Sequence, residues 1–394
     1  MARIRSLVAR SPDEMHRVST PLELFMDLCF VVAVAQAAVS LHHALGHGHT
    51  AEALIRYPLV FFAIWWAWMN FTWFASAYDN DDVLYRLAVF VQIAGVLVIA
   101  AGIPSAFDDG DFALLVVGYV IMRLSMVALW WRAASSDPER RVTALRYAGG
   151  IALVQVGWCL ALLAPGAGSG LFLLLIASEL CVPVFAERAG PTTWHPHHIA
   201  ERYGGFTIIV LGESILSTTV AVRAGIDVGH DQWAVLLLGV GDLVVVCAMW
   251  WIYFSLPAGE VVHSVREQFG SGSPGKAYLW GYGHYLVFAA AAAAGAGVAI
   301  GVDNAVGETH LSPAAASLEV AVPVAIYVVV VRVLHRDVLD GIARWTWIPA
   351  SVAVVAAGML GAPLLVIGAL LVAMVAAEQL SRSGSRSVVP PSHG

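Results

Sequence analysis

An all-α, polytopic transmembrane bundle of about 12 helices is the fold class that three observations on the sequence predict. Of 394 residues, 59% are hydrophobic and only 12% charged, and the mean hydropathy is +0.76, which leaves too little polar surface to coat a soluble globule. Apolar runs of about 18 residues or more, each able to cross a hydrocarbon core roughly 30 Å thick, recur along almost the whole chain. Arginines gather in alternate connections, the asymmetry that sets the orientation of a multi-pass protein.

The runs lie at roughly 21–43, 54–74, 83–103, 112–132, 146–164, 169–188, 199–222, 232–256, 277–302, 313–334, 345–361 and 362–381. Only Leu360-Gly361-Ala362-Pro363 separates the last two, so a re-entrant hairpin competes with two spans there. With the N-terminus inside, Arg3, Arg5, Arg10, Arg17, Arg132, Arg140, Arg141, Arg146, Arg188, Arg266, Lys276, Arg336, Arg344, Arg382 and Arg386 fall at or near one face. Arg56 and Arg223 are the exceptions, and the opposite loops carry Asp108, Asp109, Asp111, Asp303 and Glu308. This predicts a plasma-membrane protein with both termini cytoplasmic. Residues 1–20 form a charged cytoplasmic arm, because a full-length span follows them, and 382–394 read as a disordered cytoplasmic tail.

Two six-helix halves, 21–188 and 199–381, joined by a cytoplasmic linker at 189–198, are suggested by internal similarity. WWAWMNFTWF (65–74) aligns with MWWIYFSLP (249–257), RLAVFVQIAGVLVIAAGIP (86–104) with HYLVFAAAAAAGAGVAIGV (284–302), and LLLIASEL (173–180) with LVAMVAAEQL (371–380). An even number of spans per half makes the repeat parallel, as in several transporter folds, and pairs Trp66 with Trp251 and Glu179 with Glu378. Cys29, Cys159, Cys181 and Cys247 lie in apolar spans without metal or disulfide spacing and read as small core residues. Trp65, Trp66, Trp68, Trp73, Trp250 and Trp251 read as interface anchors and packing groups.

Ionisable residues inside spans cost roughly 2.5–3.5 kcal/mol each on insertion scales, so they mark either structural pairs or a path. Glu213, Arg123, Glu179 and Asp242 form the expected polar core, with Glu319 nearer the outer side. Four carboxylates and one mid-membrane arginine cannot pair one to one, so some carboxylates are expected protonated, wet or ligand-bound. Glu213 is the leading candidate for the titrating group and Arg123 for its counter-charge. At the cytoplasmic mouth, TPLELFMDLCF begins a helix: Thr20 suits the N-cap, Pro21 the first position and Glu23 the positive end of the dipole. Asp27 sits one turn deeper on nearly the same face. His198, Glu201 and Arg202 open the seventh span, where Glu201 and Arg202 read as an interfacial ion pair.

TPLELFMDLCFVVAVAQ (20–36), WFASAYDNDDVLYRL (73–87) and HHIAERYGGFTIIVLGES (197–214) resemble the landmarks of the bacterial low-temperature-requirement A family across about 20–380. The positions matching its polar motif are Glu23, Asp27, Asp79, Asp82, Arg86, His198, Glu201, Arg202 and Glu213, while Gly205 and Cys29 depart from it. The resemblance implies a polytopic membrane protein linked by name to growth in the cold, and it brings no mechanism.

The histidine runs HHALGHGH (42–49) and HPHH (195–198) fall on opposite predicted sides and cannot share a metal, so no metal centre is expected. The only lysine, Lys276, lies at a span boundary, which argues against a retinal Schiff base. No phosphate-cradling loop or serine elbow is present, and nothing suggests nucleic-acid binding or a cofactor. The first reading is therefore a secondary, proton-coupled transporter of a small solute, with the lipid bilayer as its surroundings. Set second is a membrane enzyme acting on a lipid or isoprenoid intermediate, using Asp79, Asp81, Asp82, Arg86 and His198 with Mg²⁺ and a diphosphate. A non-catalytic sensor or scaffold is the third reading.

Overall fold

The computed structural model describes residues 5–11, 14, 17–163, 168–227, 232–255, 275–309, 311–339 and 341–386. The C-terminal tail beyond Arg386 and the basic residues Arg3 and Arg266 lie outside them. Among the described residues there are twelve α-helices: α1 (Pro21–Gly46), α2 (Thr50–Tyr78), α3 (Val83–Asp108), α4 (Ala113–Ser136), α5 (Arg141–Leu162), α6 (Gly168–Glu187), α7 (Pro196–Asp227), α8 (Gln232–Phe254), α9 (Gly275–Ala305), α10 (Pro313–Leu334), α11 (Trp347–Met359) and α12 (Leu364–Arg386). Eleven are long and apolar enough to cross a bilayer. The exception, α11, has 13 residues, which at 1.5 Å per residue make about 20 Å.

The local code at several helix starts is that of soluble proteins. Thr20 and Glu23 form a capping box on α1: the Thr20 amide donates to Glu23 Oε2 at 2.7 Å and the Glu23 amide to Thr20 Oγ1 at 3.3 Å. Asp82 caps α3 by accepting from the Tyr85 amide at 2.9 Å. Ser312 caps α10 ahead of Pro313, accepting from the Ala315 amide at 3.2 Å.

The chain forms two compact units, one of residues 1–37 and 54–202 and another of 38–53 and 203–394. In the first, α3 packs on α4, α4 on α5 and α5 on α6, consecutive neighbours joined by short loops. Gly118 makes the α3–α4 contact possible, since a Cβ there would lie 2.6 Å from the Gly95 carbonyl oxygen. The polarity is inverted relative to a soluble bundle: on α5, Leu153 is 73% exposed whereas Gln155 is 2% exposed. Water could not reward that arrangement, but hydrocarbon does.

In the second unit α9 packs on α10, α10 on α11, and α12 on both α8 and α11. The turn after α11 lies beside the start of α10: Ser317 Oγ donates to the Ala362 carbonyl at 2.9 Å, and a Cβ on Gly361 would fall 2.9 Å from Pro313. At its other end, Gly341 faces Ser381 and Thr346 Oγ1 donates to Glu378 of α12 at 2.7 Å. The stretch 341–361 thus traverses the full depth of α10, with a 3-10 turn (Gly341–Arg344) extending the short α11. The last two predicted segments are two separate helices, of which α12 is long enough to cross a bilayer and α11 is not.

The cysteines depart from expectation. Cys159, Cys181 and Cys247 are exposed on outward helix faces and only Cys29 is partly buried. A thiol is apolar enough to face lipid, so an apolar span does not distinguish core from lipid-facing positions.

Candidate functional site

At one end of the first unit, α1, α2 and α7 bring together Glu23, Asp27, Trp68, His198 and Arg202, all fully or almost fully buried. The four-residue spacing of Glu23 and Asp27 presents both carboxylates to α7, where His198 and Arg202 repeat the same spacing. Arg202 donates to Asp27 through Nε (3.1 Å) and Nη2 (2.5 Å) and lies 3.2 Å from Glu23 through Nη1. His198 Nε2 meets Glu23 at 3.1 Å, and Trp68 Nε1 donates to Asp27 at 2.7 Å. The Arg202 guanidinium also lies over the Phe71 ring at 5.8 Å. Sequence reasoning paired Arg202 with Glu201, but adjacent residues on a helix do not face each other. Arg202 turns inward, while Glu201 is exposed and accepts from the Ser19 amide at 3.1 Å.

The acidic run after α2 does not converge. Asp81 pairs with Arg86 at 2.6 Å on the surface, and Asp82 is held by the Arg132 guanidinium and by the Arg5 amide at 2.9 Å. Burial alone would raise the Asp82 carboxyl, but Arg132 and the Arg5 and Tyr85 amides outweigh it and hold it down at about 2. Asp79 differs: it is buried and accepts from the Asp81 amide at 3.0 Å. Burial first, and the Glu23 charge second, push its carboxyl up to about 6. Among the described residues no group of three histidine, cysteine or carboxylate side chains is placed to share a metal ion.

Deeper in the first unit Glu179 of α6 is a hub. It accepts from Arg123 Nη2 of α4 at 2.7 Å, Trp66 Nε1 of α2 at 3.1 Å and Gln155 Nε2 of α5 at 2.8 Å. Arg123 therefore has its counter-charge in Glu179, and its expected assignment to Glu213 is replaced. The tryptophan expectation is refined too: Trp65, Trp66 and Trp68 are fully buried, and two of them are donors to buried carboxylates, whereas Trp250 and Trp251 are about half exposed.

The second unit carries a matching pair that sequence reasoning missed. Arg332 of α10 donates to Glu378 of α12 at 2.7 Å, with both side chains buried. The signal was present: the alignment that pairs Glu179 with Glu378 also places an arginine on the fourth span of each half. Three further carboxylates stand apart in this unit. Glu213 is half-buried and accepts only from Ser217 one turn on, at 3.1 Å. Asp242 of α8 is 3% exposed and lies beside Thr218 of α7, and Glu319 of α10 is half-buried. Among the described residues none of the three makes an ion pair with a cationic side chain. One turn of α8 before Asp242, Leu238 lines a cavity of about 140 Å³ that Asn304, Ser317, Val320, Pro363 and Ile367 also border.

Helices that are apolar outside and hold arginine–carboxylate pairs inside define a multi-pass membrane protein. Residues 18–379 match the family described as Bacterial low temperature requirement A protein (LtrA), and the chain belongs to that family. It is 29% identical over 280 residues to an uncharacterized protein of Rhizobium meliloti (strain 1021), a match covering 66% of this chain and 64% of the relative, hence less than two thirds of the relative's length. No solved structure matches the chain.

Proposed function

We propose that the chain is a secondary transporter of a small solute, coupled to protons, in the bacterial plasma membrane, with both termini cytoplasmic. The observation that carries this reading is Asp242, a carboxylate buried in apolar helices beside a threonine, without a cationic partner among the described residues and one helical turn from a cavity. The other buried carboxylates of the spans, Glu23, Asp27, Glu179 and Glu378, are each matched to an arginine or histidine. A carboxylate left out of such matching inside a membrane is where a proton or a cation binds and leaves. Glu213 and Glu319 extend the same unmatched set on α7 and α10. The paired Arg123–Glu179 and Arg332–Glu378 bridges support a duplicated architecture of the kind that parallel-repeat transporters use. The enzyme reading is weaker because Asp81 and Asp82 are committed to separate arginines.

The test is proton uptake into reconstituted vesicles carrying a pH-sensitive dye, under an imposed membrane potential, with pools of small metabolites supplied outside. Wild type is expected to acidify the lumen with at least one pool, and Asp242→Asn and Glu213→Gln to lose that uptake. Uptake no greater than in protein-free vesicles with every pool would remove the transport reading, and unchanged uptake in both variants would remove its titrating site.

A further inference from the structure

Beside the Glu23–His198–Arg202 cluster lies a buried cation that has no contact counter-ion among the described residues. The Arg17 side chain is 2% exposed, and its Nη2 donates to the Ala75 carbonyl of α2 at 2.8 Å. Among the described residues its Nε and Nη1 meet no acceptor, and the carboxylate associated with it, Glu14, stands off at 4.0 Å and is 36% exposed. Burying an ion is costly unless it is paired and hydrogen-bonded. Two more fully buried groups have polar atoms without a partner here, the Tyr85 hydroxyl of α3 and the Thr72 hydroxyl of α2. Tyr85 is within electrostatic reach of Arg17, Arg202, Glu23 and Asp79. Thr72 lies on α2 four residues after Trp68, which binds Asp27, and three before Ala75, whose carbonyl binds Arg17, so the three share one helix face.

We infer that Arg17, Tyr85 and Thr72 form a binding site for a small oxyanion, a carboxylate or phosphate group. All three can donate, and together they lack the one thing such a ligand brings, an acceptor that also carries negative charge. The N-terminal arm covers the site: the Arg10 amide donates to the Ala77 carbonyl at 2.9 Å, and His195 Nε2 meets the Glu14 carbonyl at 2.8 Å. Asp79 supplies pH dependence. It is faced by Glu23 from α1, by Arg10 and Arg17 from the arm, by the Asp81 amide from its own loop and by Tyr85 from α3, while Glu23 is itself held by His198 and Arg202 of α7. As a carboxylate it competes with the anion for Arg17, and as a carboxylic acid it does not, so the anion binds together with one proton. With Asp79 titrating at about 6, full linkage makes binding about 25-fold tighter at pH 5.5 than at pH 7.5. The inference stands apart from the transport reading, because binding is measured in detergent without a gradient.

The experiment is calorimetric titration of the purified full-length protein with inorganic phosphate, with acetate and with a short-chain phosphatidic acid, at both pH values. Saturable binding that strengthens at pH 5.5 is expected with a free anion or with the lipid headgroup, and which of them saturates names the source. Arg17→Gln should abolish it, and the near-isosteric pair Tyr85→Phe and Thr72→Val, whose fold is checked by circular dichroism, should weaken it at least 10-fold. Asp79→Asn should bind with equal affinity at the two pH values. Absence of saturation with all three probes, or wild-type affinity in the Tyr85→Phe/Thr72→Val protein, would overturn the site. A 25-fold pH effect persisting in Asp79→Asn would overturn the role given to Asp79.

Discussion

Removing either partner of the Arg123–Glu179 bridge should destabilise the protein, and by unequal amounts. Both side chains are at most 1% exposed, and stripping one partner from a buried pair costs about 3–5 kcal/mol. In Arg123→Met the Glu179 carboxylate keeps the Trp66 and Gln155 donors at 3.1 and 2.8 Å. That variant belongs at the low end, about 3 kcal/mol. In Glu179→Met the guanidinium cannot deprotonate, and its Nε and Nη1 already lack acceptors. It belongs at the high end, about 5 kcal/mol. The double variant removes both charges and should be no worse than Glu179→Met alone, giving a coupling of about 3 kcal/mol in a double-mutant cycle. Unfolding titrations with sodium dodecyl sulfate in mixed micelles, followed by circular dichroism, measure all three. Singles costing under about 1 kcal/mol, or a double variant equal to the sum of the singles, would refute a desolvated ion pair at this position.

The same cycle at Arg332 and Glu378, which are equally buried, should give a coupling of the same sign and similar size. Asp79→Asn should flatten the pH dependence of stability. With the Asp79 carboxyl raised from 3.8 to about 6, the folded state holds a proton that the unfolded state has released across that window, so stability falls as pH rises through it, by up to about 3 kcal/mol. The variant should therefore be more stable than wild type at pH 7.5 and equal to it at pH 3.5, as read from melting temperatures. In a cysteine-free background, Leu360→Cys and Glu308→Cys should be labelled by an impermeant maleimide from one side of the membrane and Asp337→Cys from the other. Labelling of all three from one side would show that residues 341–361 do not cross the membrane.

Segment by segment, the helices were legible because hydrocarbon imposes a length, and the twelve apolar runs correspond to the twelve helices. Helix-start chemistry was legible for the same local reason: Thr20, Pro21 and Glu23 act within one turn. What escaped was partnership. Arg123 was recognised as a mid-span charge, but nothing within α4 says that its carboxylate comes from α6, 56 residues on. Adjacency in sequence suggests an Arg202–Glu201 pair, but consecutive residues on a helix point in different directions and meet Asp27 and Ser19 respectively. In sequence Arg17 looks only like a charge that sets orientation, since the covering of the N-terminal arm by other segments leaves no trace in the arm's own composition. Cysteine and tryptophan positions were blurred because an apolar span offers both a packed side and a lipid side, and both residue types suit either.

The distance along the chain between Glu23 and His198, and equally between Asp27 and Arg202, is 175 residues. At roughly 5–20 residues per second, a ribosome delivers α7 some 9–35 s after α1. Throughout that interval α1 carries two acidic groups whose cations have not been synthesised. A chain cleaved before Pro196 would therefore leave Glu23 and Asp27 without His198 and Arg202, so the first unit is complete only once the opening turns of α7 have been made.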